Sequence, residues 1–276
     1  MTCADAREPI LTDDDRACWD RWMRTARVHA MSLRFARRLD EARRVIDAAM
    51  AHAPVIAMWS GGKDSTVLVH LACVELGLRD SVEVRSEKDD LDYPGEREYV
   101  ERLAREWSLR LRVYEPEASL EAWVAARAGH LTSGDDVHSR SSDLSRTHFY
   151  PLVERMNEGA SAILIGLRKE ESRHREASRA AHGTLYRTRS GRWHATPLAD
   201  WSGLDVLAYV ESRGLELLPV YRCIAFMHRD EPWRVRKSWW LPGTSARYGQ
   251  AAWLRRYYPS LYRRALQWFP DLGQVS

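Results

Sequence analysis

The chain has 276 residues, of which 45% are hydrophobic and 29% are charged, and its formal net charge is +3. These proportions are typical of a soluble globular protein and exclude a disordered or fibrous chain. Apolar runs fall short of the roughly 18 residues that a membrane helix needs, and the N-terminus lacks the apolar core of a signal peptide. We therefore expect a cytoplasmic protein with no membrane span, long enough for one α/β domain and an appendage.

Residues 1–53 carry a helical pattern. Thr12 is followed by three aspartates, which is a typical helix start because oxygen atoms there satisfy the free amides of the first turn. Apolar residues then recur at helical spacing as far as about Ala53. We predict one long helix or two shorter ones, forming an N-terminal helical segment that leads into the next domain.

Beyond residue 53, short apolar runs alternate with helical patterns. The predicted strands are 54–59, 81–86, 109–114 and 161–166, with a short strand pair near 185–196. The predicted helices are 64–78, 94–107, 119–128, 143–157 and 203–213. Strands that alternate with helices favour a mainly parallel sheet. We therefore predict an α/β fold over residues 54–221, with an open twisted sheet that carries helices on both faces.

The first predicted strand leads into Ser-Gly-Gly-Lys-Asp-Ser at residues 60–65. Gly61 and Gly62 allow the backbone to turn sharply and to approach a ligand closely. The amides at the start of the following helix favour an anion, and Lys63 adds a positive charge. These features predict a phosphate-binding loop. The alternative is an ordinary glycine-rich turn before a helix.

Spacing decides which kind of loop this is. A Walker A loop needs glycine, four residues and then Gly-Lys-Ser/Thr, but here Gly62-Lys63 is followed by Asp64. The Gly-x-Gly-x-x-Gly pattern of dinucleotide-binding folds is also absent. The Ser-Gly-Gly-x-Asp-Ser string instead resembles the PP-loop of the adenine-nucleotide alpha-hydrolase superfamily. That resemblance implies cleavage of ATP between its alpha and beta phosphates, which releases pyrophosphate.

Further segments are similar to the family of phosphoadenosine phosphosulfate (PAPS) reductases and ATP sulfurylase small subunits. Residues 166–175 resemble its Gly-x-Arg-x-x-Glu-Ser-x-x-Arg signature. Residues 197–209 resemble its Pro-Leu-x-x-Trp-x-x-x-Asp-Val-x-x-Tyr segment, and residues 219–221 its Pro-x-Tyr string. The resemblance covers about residues 50–225, and it predicts a nucleotide-binding domain but not the reaction.

The resemblance implies an adenine-nucleotide site built from the matching positions. We expect Lys63, Asp64, Arg168 and Arg175 to be catalytic, with the cations neutralising the charge that develops as pyrophosphate leaves. Asp64 would orient the loop or Mg²⁺. The predicted ATP-binding residues are Ser60, Gly61, Gly62, Lys63, Asp64, Ser65, Gly166, Arg168, Glu171 and Ser172. For the arginines, a solvated loop of local ion pairs is the alternative.

ATP and Mg²⁺ are the expected substrate and cofactor. The sequence does not identify the residues that bind the metal. Glu170 and Glu171 could hold Mg²⁺ together with phosphate oxygens, or they could orient the arginines. After the second strand, the family carries Asp-Thr-Gly and then an aromatic-Pro-Glu string. Tyr93, Pro94 and Glu96 match the second string, but Asp-Thr-Gly is missing. The acids of this loop could bind a metal or form a solvated turn.

The four cysteines are Cys3, Cys18, Cys73 and Cys223, and none forms a Cys-x-x-Cys pair. We therefore expect no iron–sulfur cluster and no structural zinc. Scattered cysteines in a cytoplasmic chain are usually buried and inert. A PAPS reductase, by the resemblance, needs a nucleophilic cysteine near its C-terminus, and none follows Cys223. We therefore expect no reduction of PAPS.

Residues 222–276 are predicted to be a basic, aromatic-rich, helical C-terminal appendage. From residue 222 to residue 268 there are ten lysines and arginines against two acids, with nine tryptophans and tyrosines among them. Cations interleaved with rings suit a DNA or RNA strand. A helical unit that packs its rings inward and turns its arginines outward fits equally well. The sequence leaves both interpretations open.

Three classes of function compete. The first is an ATP pyrophosphatase that adenylates an acceptor for sulfur transfer, as in the DNA phosphorothioation enzymes of the Dnd and Ssp systems, with a cysteine desulfurase or another sulfur-transfer protein as partner. The second is an enzyme of sulfur assimilation, resembling an ATP sulfurylase small subunit or a PAPS reductase. The third is a non-catalytic nucleotide-binding regulatory module. The sequence leaves the acceptor open among DNA, tRNA, sulfate and small molecules.

Overall fold

The computed structural model describes residues 9–88, 90, 92–125, 145–237, 249–268 and 273. The strands are β1 Val55–Met58, β2 Val82–Glu87, β3 Leu111–Tyr114, β4 Ala162–Leu164, β5 Leu185–Arg187 and β6 Trp193–Ala195. The α-helices are α1 Asp13–Ala30, α2 Leu33–Met50, α3 Lys63–Val69, α4 Glu96–Glu106, α5 Leu120–Ala125, α6 Tyr150–Met156, α7 Arg173–His182, α8 Gly203–Arg213, α9 Ala251–Tyr257 and α10 Pro259–Trp268.

The strands form one sheet in the order β3-β2-β1-β4-β6-β5. All neighbouring pairs are parallel except β5 and β6, which are antiparallel. This arrangement confirms the predicted α/β fold with a mainly parallel sheet. It also places the carboxyl ends of β1 and β4 side by side in the middle of the sheet, where open parallel sheets bind ligands.

Side chains of the central strands alternate between two apolar layers. Val55 and Ala57 of β1 face the main core, together with helices α2, α3, α4 and α8. Ile56 packs with Ile163 on the opposite face, in a smaller cluster. Because successive strand residues point to opposite faces, a strand buried on both sides reads as a continuous apolar run. That run is what identified β1 in the sequence.

The N-terminal segment forms two helices, α1 and α2, with a break at residues 31 and 32. Thr12 caps α1 in a capping box with Asp15, and Ser32 accepts a hydrogen bond from the Phe35 amide at the start of α2. These side chains satisfy amides that have no partner within the helix. Of the two alternatives left open, the pair of shorter helices is therefore the one adopted.

Asp15 joins the N-terminal and C-terminal parts of the chain. Its side chain is fully buried. One carboxylate oxygen accepts hydrogen bonds from the amides of Ile224 and Ala225, at 3.1 and 2.8 Å, and from the Tyr257 hydroxyl at 2.7 Å. The two predicted helical extensions are present, and they pack into the main core together with the sheet. The boundaries at residues 53 and 221 remain predictions.

Several predicted elements differ in length. The helix expected over 64–78 is α-helical only to Val69 and continues as a π-helical turn over His70–Glu75. Of the helices expected near 119–128 and 143–157, the structure shows α5, a π-turn over Ser145–Phe149, and α6. Positions 126–144 lie outside the described residues. Helix α7 was missed, because its sequence was interpreted as part of a charged loop.

The C-terminal helices α9 and α10, with the residue between them, turn four rings inward. Trp253, Tyr257, Tyr258 and Tyr262 are all buried in the main core. The neighbouring Arg255 and other arginines of these helices are exposed. The inward-packing interpretation is therefore correct for these four rings, which are not free to stack on bases. Within the described residues, no helix is both long and apolar enough to cross a membrane.

Candidate functional site

The loop between β1 and α3, residues 60–65, has the geometry of a close-approach turn. Gly61 has a φ of 72°, a left-handed conformation that favours glycine. At Gly62, an added Cβ would lie 3.2 Å from the Ser60 hydroxyl oxygen and 3.4 Å from the Tyr221 hydroxyl oxygen. The backbone conformation thus favours glycine at position 61, and the nearby hydroxyls leave little room for a side chain at position 62.

Hydrogen bonds hold this phosphate-binding loop in shape. The Ser60 amide donates to the Ser65 hydroxyl at 3.3 Å, and that hydroxyl donates to the Gly62 carbonyl at 3.0 Å. The Lys63 amide donates to the Tyr221 hydroxyl at 2.9 Å. Ser60 and Ser65 therefore shape the loop from within. Tyr221, which the sequence offered only as part of a Pro-x-Tyr match, supports the loop from the C-terminal side.

A buried ionic group lies at the start of α3. The Lys63 ammonium is 2.8 Å from one oxygen of Asp64, and the Arg168 Nε is 2.5 Å from the other. Arg168 also pairs with Glu170. Burial alone would raise the pKa of Asp64, but Lys63 and Arg168 hold it below its usual value. Asp64 is therefore a carboxylate that orients two cations, and it is unsuited to act as a base.

Gly166 allows β4 to approach the loop closely. An added Cβ at this position would lie 2.9 Å from both the Cα and the amide nitrogen of Ser65. Since this contact is with backbone, no side-chain adjustment could relieve it. The short distance brings Arg168, two residues further on, within reach of Asp64. Gly166 is therefore the residue that lets the two backbones lie this close together.

The remaining predicted residues lie on the rim. Glu171 accepts a hydrogen bond from the Arg168 amide at 3.1 Å and pairs with Arg175. The Ser172 hydroxyl caps α7 by accepting from the Arg175 amide at 3.2 Å. The Arg175 side chain is 37% exposed, whereas that of Arg168 is 1% exposed. The structure thus brings Lys63, Asp64 and Arg168 together and leaves Arg175 at the edge.

The carboxylates of this region do not form a preformed Mg²⁺ site. Asp64 and Glu170 are engaged by Arg168, and Glu171 is engaged by Arg175. Among the described residues, no group of three or more His, Cys, Asp or Glu side chains is arranged to hold a metal ion. Mg²⁺ usually takes one or two carboxylates together with phosphate oxygens.

The cysteines within the described ranges, Cys18, Cys73 and Cys223, are all buried. Burial raises the pKa of Cys73 to about 12 and raises that of Cys223 as well. A thiol whose pKa is raised by burial is a poor nucleophile, because the reactive species is the thiolate. Cys3 lies outside the described residues. None of the three described thiols is exposed, and neither Cys73 nor Cys223 has the pKa of a nucleophile.

Lys237 is a site residue that the sequence did not single out. It was counted as one of ten cations in the tail, and no spacing distinguished it from the others. In the structure its Cβ lies 3.8 Å from the position of a Cβ at Gly62, so the C-terminal segment passes directly beside the phosphate-binding loop. Its ammonium pairs with three acidic side chains, which are described below.

The chain is similar to several known proteins. The chain is 26% identical over 191 residues to a phosphoadenosine 5'-phosphosulfate reductase of Xanthomonas campestris pv. campestris (strain B100), covering 67% of this chain and 76% of the relative. It is 27% identical over 193 residues to the protein of that name from Xanthomonas axonopodis pv. citri (strain 306), again covering 67% and 76%. The solved structure of a PAPS reductase from Candida auris, a phosphate complex, is 19% identical with a TM-score of 0.48, covering 64% of this chain and 81% of that chain.

One family spans the sheet and the site. Residues 54–225 match the phosphoadenosine phosphosulfate reductase domain. This range is more than half of the chain and begins one residue before β1. It contains the phosphate-binding loop, Asp64, Arg168 and Tyr221. The chain therefore belongs to the phosphoadenosine phosphosulfate reductase domain family.

Proposed function

We propose that this protein is an adenine-nucleotide enzyme of sulfur metabolism that cleaves ATP at the alpha phosphate without using a thiol of its own. The observation that carries the proposal is the buried group of Lys63, Asp64 and Arg168 beside the phosphate-binding loop. Two buried cations oriented by one carboxylate suit a polyphosphate, and the loop amides add further donors.

The residues would act mainly through electrostatics. An acceptor oxygen attacks the alpha phosphorus, the bond from that phosphorus to the bridging oxygen breaks, and pyrophosphate leaves with the electron pair. Lys63 and Arg168 neutralise the charge that grows on the leaving group, and Asp64 keeps both cations in place. Arg175, on the rim, can contact the outer phosphates if it leaves Glu171. The acceptor is adenylated and AMP is its activating group.

The comparisons support the sulfur-assimilation alternative better than the DNA phosphorothioation interpretation. The similar curated proteins are named as PAPS reductases, and four buried C-terminal rings are not available for base stacking. We therefore propose sulfate, or a similar small oxyanion, as the first acceptor to test. DNA, tRNA and a cysteine desulfurase partner rank lower.

The experiment uses purified protein, Mg²⁺ and alpha-labelled ATP, with sulfate, DNA or tRNA as acceptor. We expect AMP or an adenylated product together with pyrophosphate. Lys63→Ala should lower turnover by about ten- to a thousandfold, the size of a lost charge-assisted contact in a transition state. Lys169→Ala is the matched control, since Lys169 pairs with Asp200 on the exposed side of the same region. Release of ADP and phosphate would overturn the proposal.

A second candidate is thiol-dependent reduction of PAPS, which the names of the relatives favour. It needs an accessible thiolate, whereas Cys223 is buried with a raised pKa. The assay is sulfite release from PAPS with reduced thioredoxin, and we expect none. Sulfite release that disappears in Cys223→Ser would establish this candidate in place of the first. Tight ATP binding with no product in either assay would leave the regulatory module.

A further inference from the structure

The segment of residues 232–237, called here the C-terminal strap, crosses the carboxyl edge of the sheet. At its start Trp233 packs on Gly203 so closely that an added Cβ there would lie 2.0 Å from the ring. Near its end, Arg236 donates to the Glu171 carbonyl at 3.4 Å. The strap is therefore held at α8 and at the loop after β4, and its last residue reaches the phosphate-binding loop.

That last residue, Lys237, has a buried ammonium surrounded by carboxylates. The Nζ atom lies 2.9 Å from Glu96, 3.0 Å from Asp92 and 3.4 Å from Glu87. These acids come from β2, the loop that follows it and the start of α4. One positive charge thus serves three carboxylates in a place with little solvent. Such a cluster tolerates loss of the cation poorly, because the buried Glu96 carboxylate would then lose its cation.

Glu96 connects this cluster to the phosphate-binding loop. Its carboxylate oxygen Oε1, the atom nearest the Lys237 ammonium, is 3.4 Å from the position of a Cβ on Gly61. Its other oxygen accepts a hydrogen bond from the Tyr93 amide at 3.3 Å. Glu96 is 3% exposed. The side chain therefore lies against the glycine whose left-handed conformation shapes the loop.

We propose that Lys237 is a positioning residue of the nucleotide site: its ammonium holds the Glu96 carboxylate against Gly61 and so keeps the phosphate-binding loop in its nucleotide-binding shape. This inference rests on the proposed function, since it assumes that the loop binds a nucleotide phosphate. Lys237 acts through Glu96, and no contact between Lys237 and the nucleotide is required. This positioning role explains why a part of the chain distant in sequence places a buried cation at this edge of the sheet.

Removing the ammonium has a specific chemical consequence. Burial raises the pKa of Glu96 to about 8, while Lys237 acts in the opposite direction. Without Lys237, protonation of the cluster is the cheapest way to relieve repulsion among the acids. The titratable and charged groups that face Glu96 are Lys237, Glu87, Asp92, Tyr93, Tyr99 and Tyr221. The phenol groups stay neutral because burial raises their pKa values. The carboxylates are therefore the groups that take up protons when Lys237 is removed.

The test measures ATP affinity by calorimetry in four variants. At pH 8 we expect Lys237→Met to weaken ATP binding about tenfold, the factor of one lost charge-assisted contact. Lys237→Arg should retain affinity, and the double variant Lys237→Met with Glu96→Gln should recover most of it. Arg234→Met is the matched control on the strap, since Arg234 pairs with Glu231 at the surface.

The outcomes separate the two proposals. Unchanged affinity in a folded Lys237→Met variant overturns the role of Lys237. So does a double variant that stays weak, because Lys237 would then act by a route other than Glu96. If Lys237→Met does not fold, the ATP affinity of the double variant is the deciding measurement. Affinity close to that of the wild type supports the role of Lys237, and weak affinity overturns it. If the wild type binds neither ATP, PAPS nor pyrophosphate, the proposed function itself fails, and the Lys237 variants then show no affinity difference.

Discussion

At the scale of single residues, Arg168 has the largest expected effect on stability within the site. Its side chain is 1% exposed and pairs with both Asp64 and Glu170. Arg168→Ala should lower the free energy of unfolding by about 3–5 kcal/mol, because it removes one of the two cations that pair with the buried Asp64 carboxylate. Urea denaturation measures the loss.

Arg175→Ala is the natural comparison for Arg168→Ala. Arg175 forms its ion pair with Glu171 at the rim and is 37% exposed. A pair of this kind is worth about 1 kcal/mol or less, since solvent screens it. Equal losses of stability in the two variants would contradict the view that Arg168 is the buried organiser of the site.

Glu96 should make stability depend on pH. Its pKa in the folded state is about 8, above its ordinary value of 4.5. Between these values the folded chain binds more protons than the unfolded chain, so stability falls as pH rises through this window. The contribution is at most about 1.4 kcal/mol per pH unit. Chemical denaturation from pH 5 to pH 8 should show a flatter profile for Glu96→Gln than for the wild type. Parallel profiles would refute the raised pKa.

At the scale of elements, the closest approach in the site joins the end of β4 to the start of α3. Gly166→Ala places a Cβ against the backbone of Ser65, so the loop or the strand must shift. We expect a destabilisation of about 1–3 kcal/mol from overpacking, together with weaker ATP binding. Ser161→Ala, at the exposed opposite end of β4, is the control. If ATP binding were as strong in Gly166→Ala as in the control, the approach would not shape the site.

Local sequence predicted elements well where their apolar pattern was strong and failed where it was weak. Helix α7 has no buried residues and no large apolar side chains to mark an inward face, and the Ser172 cap was its clearest signal. The π-turn after α3 was also missed. It ends at Glu75, which Arg43, Arg213 and the Tyr209 hydroxyl bind from other elements. Such contacts are not encoded in neighbouring residues.

At the scale of the whole molecule, the C-terminal helices serve the core. Trp253 is 1% exposed, and its ring nitrogen donates to the Cys223 carbonyl at 3.0 Å. Trp253→Ala should therefore cost about 3–5 kcal/mol of folding stability, as for other buried aromatic residues. The neighbouring exposed Arg255→Ala should change stability by no more than about 0.5 kcal/mol. Thermal unfolding distinguishes the two variants. A Trp253→Ala variant as stable as the wild type would show that this ring does not stabilise the core.

The exposed arginines of the same helices allow a separate test of nucleic-acid binding. Arg255 and Arg256 both face solvent. If they contact phosphates, affinity for DNA or RNA should fall steeply with salt, and replacing both by alanine should reduce that slope by about two units. ATP binding should be unaffected. Filter binding across a salt series is the measurement, and absence of binding at low salt would remove nucleic acid as a partner.

The sequence by itself determined the local parts of this protein. Continuous apolar runs marked the buried strands, and the two glycines with Lys63 and Asp64 marked the loop, because a sharp turn and a phosphate site each demand those residue types at adjacent positions. Gly166 and Arg168 were identified by the resemblance of residues 166–175 to the family signature. Tertiary structure decided the rest. The burial of Arg168 on Asp64, the support from Tyr221 and the reach of Lys237 to Glu96 join residues about 100 or more positions apart. Such distances carry no periodic signal, so only packing of the whole chain brings these charges together.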